Sequence, residues 1–158
     1  MKKNVRGFSL IELIVVMGIG VMILGISAPA LRDYERRQRL DQSAQEVKTN
    51  LRRAQTLART GKKPAACGNN VMRGIQVQFT STTYTISTYC NATQSPVTYT
   101  LRAGTFNPVP GAVLEFPVLS SAVTGAPMTI CVLDNNRRYK LEVNAAGEIY
   151  DRQITTCP

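Results

Sequence analysis

The run RGFSLIELIVVMGIGVMILGISAPAL, residues 6–31, is apolar except for Arg6 at its edge and one internal carboxylate, Glu12. From Leu13 to Leu31 nineteen residues pass without a charge, and from Phe8 to Leu31 Glu12 is the one exception in twenty-four. As a helix, twenty-four residues reach roughly 36 Å, enough to cross the apolar core of a bilayer. Lys2, Lys3 and Arg6 precede the run. Such a basic leader stays on the cytoplasmic side, so everything after the span is expected outside the cytoplasm. The run is too long for the apolar core of an ordinary signal peptide, and no clean A-x-A site follows it. A permanent single-pass anchor would account for its length and leave Glu12 unexplained.

A charge at bilayer depth costs about 2.5–3.5 kcal/mol at the centre of a helix and less near its end. Glu12 lies near the cytoplasmic end, where it calls for a cationic partner. A cut between Gly7 and Phe8 would create an α-amino group four residues before Glu12. In a stack of such helices, one chain's new amine can pair with its neighbour's Glu12. A lone acid at this place therefore implies polymerisation.

The stretch KKNVRGFSLIELIVVMGIGVMILGI, residues 2–26, closely resembles the class III signal of type IV pilins and of type II secretion pseudopilins. The resemblance implies that a prepilin peptidase cuts after Gly7, that the new N-terminal Phe8 is N-methylated, and that Glu12 guides assembly. It implies a mature chain of 151 residues with a charge of +6, once the three leader cations are gone. The implied partners are the peptidase, an assembly platform, the membrane and other pilin or pseudopilin subunits. The implied location is the inner (cytoplasmic) membrane with a single pass, and then a pilus or pseudopilus filament.

Beyond the span the helical pattern continues. Pro29 removes a backbone hydrogen bond and is expected to kink the helix, as pilins commonly do near this point. Gly18, Gly20 and Gly25 allow close helix packing. Leu31, Tyr34, Leu40, Ala44, Val47, Leu51, Ala54 and Ala58 recur at spacings of three, four or their sums, which makes one apolar stripe. Charged residues fill the positions between. Gly61 and Pro64 end the pattern, so the helix is expected over Ser9 to Thr60. From Cys67 the texture turns to strands: Gly74–Phe79, Thr83–Cys90, Val97–Arg102, Val113–Phe116, Met128–Leu133, Arg138–Val143 and Ile149–Ile154. Their links are short, so most are expected to pair antiparallel. The fold class is α+β, a pilin fold: a long N-terminal helix packed on a mainly antiparallel head. The organisation is a leader over 1–7, an apolar helix half over 8–31, an amphipathic half over 32–62 and a β-rich head over 63–158.

The composition excludes much chemistry. The net charge is +9 and there is no His. Imidazole can neither bind a metal nor act as a base, and a His-containing triad is impossible. No G-x-S-x-G, P-loop or paired-carboxylate motif is present, so no enzyme, metal or cofactor is expected. Cys67, Cys90, Cys131 and Cys157 are spaced by 23, 41 and 26 residues, without a C-x-x-C. An even count behind an export segment favours disulfides over free thiols. Of the three connectivities, Cys67–Cys90 with Cys131–Cys157 is favoured because each staples chain-adjacent elements.

The helix end LRRAQTLARTGK, residues 51–62, and the last hairpin AAGEIYDRQITTC, residues 145–157, resemble the FimT/GspH-like group of minor pilins and pseudopilins. That implies a minor structural subunit of a type IV pilus or type II secretion-like filament. The alternatives are the major pilin, or a minor pilin that binds DNA for uptake. For DNA, the basic run Arg52, Arg53, Arg59, Lys62 and Lys63, with Arg152, is the candidate surface. DNA is not favoured. Around the last hairpin Arg137, Arg138, Lys140 and Arg152 are balanced by Asp134, Glu142, Glu148 and Asp151. The tyrosines available to stack bases are better suited to packing within the sheet.

Overall fold

The computed structural model describes residues 9–91, 93–107, 111–135, 137–154 and 157, without the side chains of 24–30, 93 and 153. The expected cleavage pair Gly7 and Phe8 lies outside these residues. A single helix, α1, runs Leu10–Thr60, and it is followed by a short 3-10 turn, Ala65–Cys67. Eight strands come next: β1 Gly74–Phe79, β2 Thr83–Tyr89, β3 Thr93–Thr100, β4 Thr105–Asn107, β5 Val113–Pro117, β6 Met128–Asp134, β7 Arg137–Val143 and β8 Ile149–Ile154. The fold is α+β, as expected. The chain divides into two compact units, one ending at Arg37 and one spanning Gln38–Pro158.

In the first unit α1 is bare. Leu10, Ile11, Leu13, Ile14, Val15, Val16, Met17, Ile19, Val21, Met22 and Ile23 are all exposed. Apolar surface on this scale marks a membrane or a protein partner. The expected span includes residues 24–30, whose side chains are not described. Over the described residues alone, no helix is long and apolar enough to cross a membrane. α1 continues through Pro29, whose side chain lies outside the described residues. Leu31 and Tyr34 are exposed rather than part of the buried stripe. At about 100° per residue, Leu31 lies half a turn and Tyr34 a third of a turn away from the face that Leu40 occupies.

The second unit explains the rest of the stripe. Leu40, Ala44, Val47, Leu51, Ala54 and Ala58 are at most 3% exposed. Their steps of four and three keep them on one face of α1, and the three alanines let strands come close. Two four-stranded antiparallel sheets meet that face, in the orders β3-β2-β1-β5 and β4-β6-β7-β8. Both supply the same core: Val77, Phe79, Tyr84, Leu114 and Phe116 from the first, Ile130, Val132, Leu141, Val143 and Ile149 from the second. Alternate residues of β7 are buried and the intervening ones are not, the period of a strand with one covered face. Phe79 packs edge-on against Phe106 and Tyr84 stacks on Tyr99, with ring centroids 5.4 and 5.1 Å apart.

Polar groups in this core are partnered. Asn50 donates its side-chain amide to the Tyr84 hydroxyl at 2.6 Å, and burial pushes that phenol up to about 12. Ser43 donates to the Arg39 carbonyl and accepts from the backbone N–H of Ala103.

Three details differ from the sequence expectations. β4 has only three residues, too few for a periodic signal. β3 occupies Thr93–Thr100 rather than Val97–Arg102, and its pairing with β2 shifts register between Ile86 and Thr88. Pro96 sits inside it, which an edge strand tolerates because one row of its amides faces outward.

The bridges are Cys67–Cys90, with Cα atoms 5.7 Å apart, and Cys131–Cys157, 6.4 Å apart. The first ties the 3-10 turn to the end of β2, and the second ties the chain after β8 back to β6. In the chain-entropy account, closing loops of this size stabilises the folded head by roughly 3–4 kcal/mol each.

Leu51 is fully buried in the stripe, whereas Leu57, six residues further on and off that face, is 41% exposed. Leu51→Ala is expected to cost about 2–5 kcal/mol and Leu57→Ala about 1 kcal/mol or less. Urea unfolding followed by circular dichroism reads both as a shift in midpoint.

Candidate functional site

Two features are candidates for a functional site, one in each unit. The first is the start of α1. Ser9 precedes the helix, and its carbonyl accepts from the backbone N–H groups of Glu12 and Leu13 at 3.1 and 3.2 Å. Ser9 and Glu12 therefore stand in the S-x-x-E spacing of a helix start. Glu12 lies in the first turn, where the helix dipole favours a negative charge. Its side chain is exposed and has no ion-pair partner among the described residues. The acid thus stands on an apolar, uncovered rod, with Leu10, Ile11 and Leu13 beside it exposed as well.

The second feature is a groove of about 820 Å³ in the Gln38–Pro158 unit. One wall is a stripe of α1: Lys48, Arg52, Gln55 and Arg59. Steps of four, three and four place these on one helix face over roughly 16 Å. The other wall is the β7–β8 hairpin, with Lys140, Glu142, Gly147, Tyr150, Asp151 and Arg152. Register pairs Lys140 with Arg152 and Glu142 with Tyr150, so these four share a sheet face. Asp151 pairs with Leu141 and points to the opposite face, toward α1.

A polar lock joins the walls. Asp151 accepts from Lys48 through one oxygen. Its other oxygen accepts from the Tyr139 hydroxyl at 2.6 Å and from the Gln45 amide at 3.1 Å. Lys48 foremost, then Tyr139, hold the Asp151 carboxyl down at about 2. Burial above all, with the neighbouring Asp151, pushes Tyr139 up to about 12. At the hairpin tip the Gln55 amide donates to the Gly147 carbonyl at 2.7 Å. Gly147 has φ +81°, and a Cβ there would sit 2.5 Å from Gln55 Nε2 and 2.9 Å from the Ser121 carbonyl. Only glycine lets the turn approach the helix this closely.

The charges of the groove divide unequally. Lys48 is held by Asp151, and Lys140 pairs with Glu142 at 2.5 Å. Glu148 accepts from Asn144 and from the Tyr150 hydroxyl, and these bonds, Tyr150 first, lower its carboxyl. Arg52, Arg59 and Arg152 are exposed and have no partner among the described residues. The groove therefore presents three uncommitted guanidinium groups beside carboxylates that are already engaged.

Of the six cations proposed from the sequence, the structure brings Arg52, Arg59 and Arg152 together. It sends Arg53 to a small apolar cleft with Leu57, Ile86, Val97 and Tyr99, and Lys62 and Lys63 lie beyond the helix end. The six do not form one surface, because successive helix residues point about 100° apart. Lys48, Gln55 and the Asp151 lock were not anticipated. The 48-52-55-59 spacing was a usable signal for the helix wall; nothing in the sequence pointed to its facing β8. Among the described residues, no group of three or more His, Cys, Asp and Glu side chains could hold a metal ion.

A family model described as the prokaryotic N-terminal methylation motif matches residues 2–28. No curated protein and no solved structure matches the chain. The matched residues begin in the basic leader and contain Gly7, Phe8 and Glu12; the β-rich unit lies outside the match.

Folded Asp151 releases its proton near pH 2, against an ordinary 3.8. Between these values the unfolded chain binds more protons, so stability rises with pH there. The contribution of Asp151 is complete above about pH 4 and is lost as pH falls through about 2. Asp151→Asn is expected to flatten this acid limb and to lower stability at pH 7 by about 1–3 kcal/mol. Urea midpoints collected from pH 2 to 7 would show both.

Proposed function

We propose that this chain is a structural filament subunit made as a prepilin, cut after Gly7, methylated at Phe8 and packed into a filament through α1. The methylation motif over residues 2–28 carries this reading. It supports processing by a prepilin peptidase and assembly with other pilin-type subunits. The bare apolar surface of Leu10–Ile23 supports burial of this segment, first in a membrane and then among neighbouring helices. Lipid and a helix bundle are both apolar, so the same surface serves before and after assembly.

Glu12 gives the packing a register. Inside a bundle an unpaired carboxylate is costly, and a helix slipped along its neighbour would leave it so. The amine created at Phe8 is the available cation. Each added subunit would bring one amine and one Glu12, so a stack satisfies every internal pair. No step calls for a catalytic group, and we assign the chain no enzyme activity.

Within this class we favour a minor pilin or a secretion pseudopilin over the major pilin. The helix end at residues 51–62 and the hairpin at 145–157 support that choice through their resemblance to such subunits. The two disulfides suit a head displayed outside the cytoplasm.

Glu12→Ala is expected to leave cleavage after Gly7 intact and to abolish incorporation into filaments. N-terminal sequencing of the membrane-held chain reads the first, and immunoblotting of sheared filaments reads the second. Normal incorporation would rule out the pairing account.

Mass spectrometry of sheared filaments separates the subtypes. Trace copies relative to the dominant subunit fit a minor pilin, and dominance makes this the major pilin. Cleaved chain in the membrane but absent from sheared material fits a secretion pseudopilin.

A further inference from the structure

We propose that the groove between α1 and β8 binds an extended, acidic polypeptide segment of a partner protein, which adds as a strand to the free edge of β8. The first ground is the state of the sheet edges. Among the described residues the two sheets end in four strands: β3, β5, β4 and β8. β3 carries Pro96 and a register shift. β5 is bridged on its outer side, Glu115 to Thr124. β4 has three residues. Such features are how proteins blunt edges against added strands. β8 is six residues long, without proline, and in unbroken register with β7 from Ile149 to Ile154; its one inward-facing charge, Asp151, is already held by Lys48, Tyr139 and Gln45.

The second ground is that the groove follows this edge. Ile149, Tyr150, Asp151 and Arg152 all line it, although successive strand residues face opposite sides of a sheet. A groove touching both parities reaches round the strand's open side, and through Lys140 and Glu142 it also extends over the adjoining face of β7. Six strand residues span roughly 20 Å, comparable to the roughly 16 Å of helix from Lys48 to Arg59. Cys157 is bonded to Cys131 on β6, and β7 stands between β6 and β8.

The third ground is charge. Arg52 and Arg59 stand on the helix wall and Arg152 on the strand wall, without partners among the described residues. Arginine pairs with carboxylates through two parallel hydrogen bonds. A strand with acids at alternate positions turns them all to one side; turned toward α1 they meet Arg52 and Arg59, and Arg152, on the other sheet face, stands at the groove's rim. The engaged carboxylates of Glu142, Glu148 and Asp151 in the same walls disfavour a polymer with a negative charge at every unit. They suit a peptide, which sets its acids apart. No described strand of this chain has two acids at alternating positions, so the occupant is a different polypeptide. Backbone pairing supplies the affinity and the arginines supply the choice of sequence.

The test uses the full chain in nonionic detergent micelles. The probe is a fluorescent (Glu-Thr)4 peptide, followed by anisotropy, with hydrogen exchange read at Ile149–Ile154. Binding is expected, together with slowed exchange in β8. Arg52→Glu combined with Arg59→Glu is expected to weaken binding at least tenfold. Both side chains are exposed and unpartnered, so the fold should persist, and circular dichroism checks this. Arg53→Glu with Lys63→Glu changes the net charge equally outside the groove and is expected to leave binding unchanged. The same peptide methylated at every backbone amide keeps its charge and cannot pair as a strand; it is expected not to bind. Equal binding of the methylated peptide would reduce the site to simple charge attraction and overturn the proposal. So would tighter binding of a single-stranded oligonucleotide that the Arg52/Arg59 variant abolishes, or no binding of the acidic peptide up to about 1 mM.

Discussion

Everything in the β-rich unit hangs on one stripe of α1, the six apolar side chains from Leu40 to Ala58. Two sheets bury their inner faces against it, and fully buried positions come from both: Val77, Tyr84 and Leu114 from one, Val132 and Leu141 from the other. A four-stranded sheet cannot cover its own apolar face. The helix closes both faces at once, and its alanines set how near the strands approach. The remaining features of the unit are ways of fastening strands to that helix: Asn50 to Tyr84, Ser43 to Ala103, Gln55 to Gly147, Lys48 and Gln45 to Asp151.

The same helix changes its surroundings along its length. Before Arg37 its large apolar side chains, among those described, are exposed; after Gln38 one stripe is covered and the opposite one is polar. This follows from composition. An all-round apolar helix has no side that water favours and needs a lipid or protein environment throughout. A helix with one apolar stripe needs a partner on that stripe alone. Charged residues become frequent from Arg32 and Asp33 onward, just before the boundary between the units at Arg37.

The groove is a by-product of how the helix is fastened. The Asp151 lock and the Gln55–Gly147 contact draw the last hairpin toward α1 at two points along the hairpin. Beside them, the polar stripe of the helix and the outer edge of β8 face a common space. Its lining has five cations against three carboxylates, and three of the five, all arginines, have no partner among the described residues, whereas the carboxylates are all engaged. Electrostatic selectivity in such a space comes from the unpaired groups, not from the net charge of the chain.

Residues 2–31 by themselves determined the most specific statement about this protein, because its signal is local: a basic leader, a Gly-Phe junction, and one acid at a fixed distance inside an apolar run. The helix and its stripe from Leu40 to Ala58 were also legible, since helical periodicity is a short-range property. Most strands were legible from alternation, and the favoured cysteine pairs are the bonded ones. The start of the buried stripe was misjudged, because Leu31 and Leu40 are nine residues apart, about half a turn out of phase, and spacings built from repeated steps of three drift off the face. β4 was not legible, because three residues carry no period. The groove belonged wholly to the tertiary structure. Arg52 and Arg152 are a hundred residues apart, and Arg53 is adjacent to Arg52 yet faces elsewhere. Which charges are paired and which edge is open depend on distances across the fold, and no local pattern encodes those.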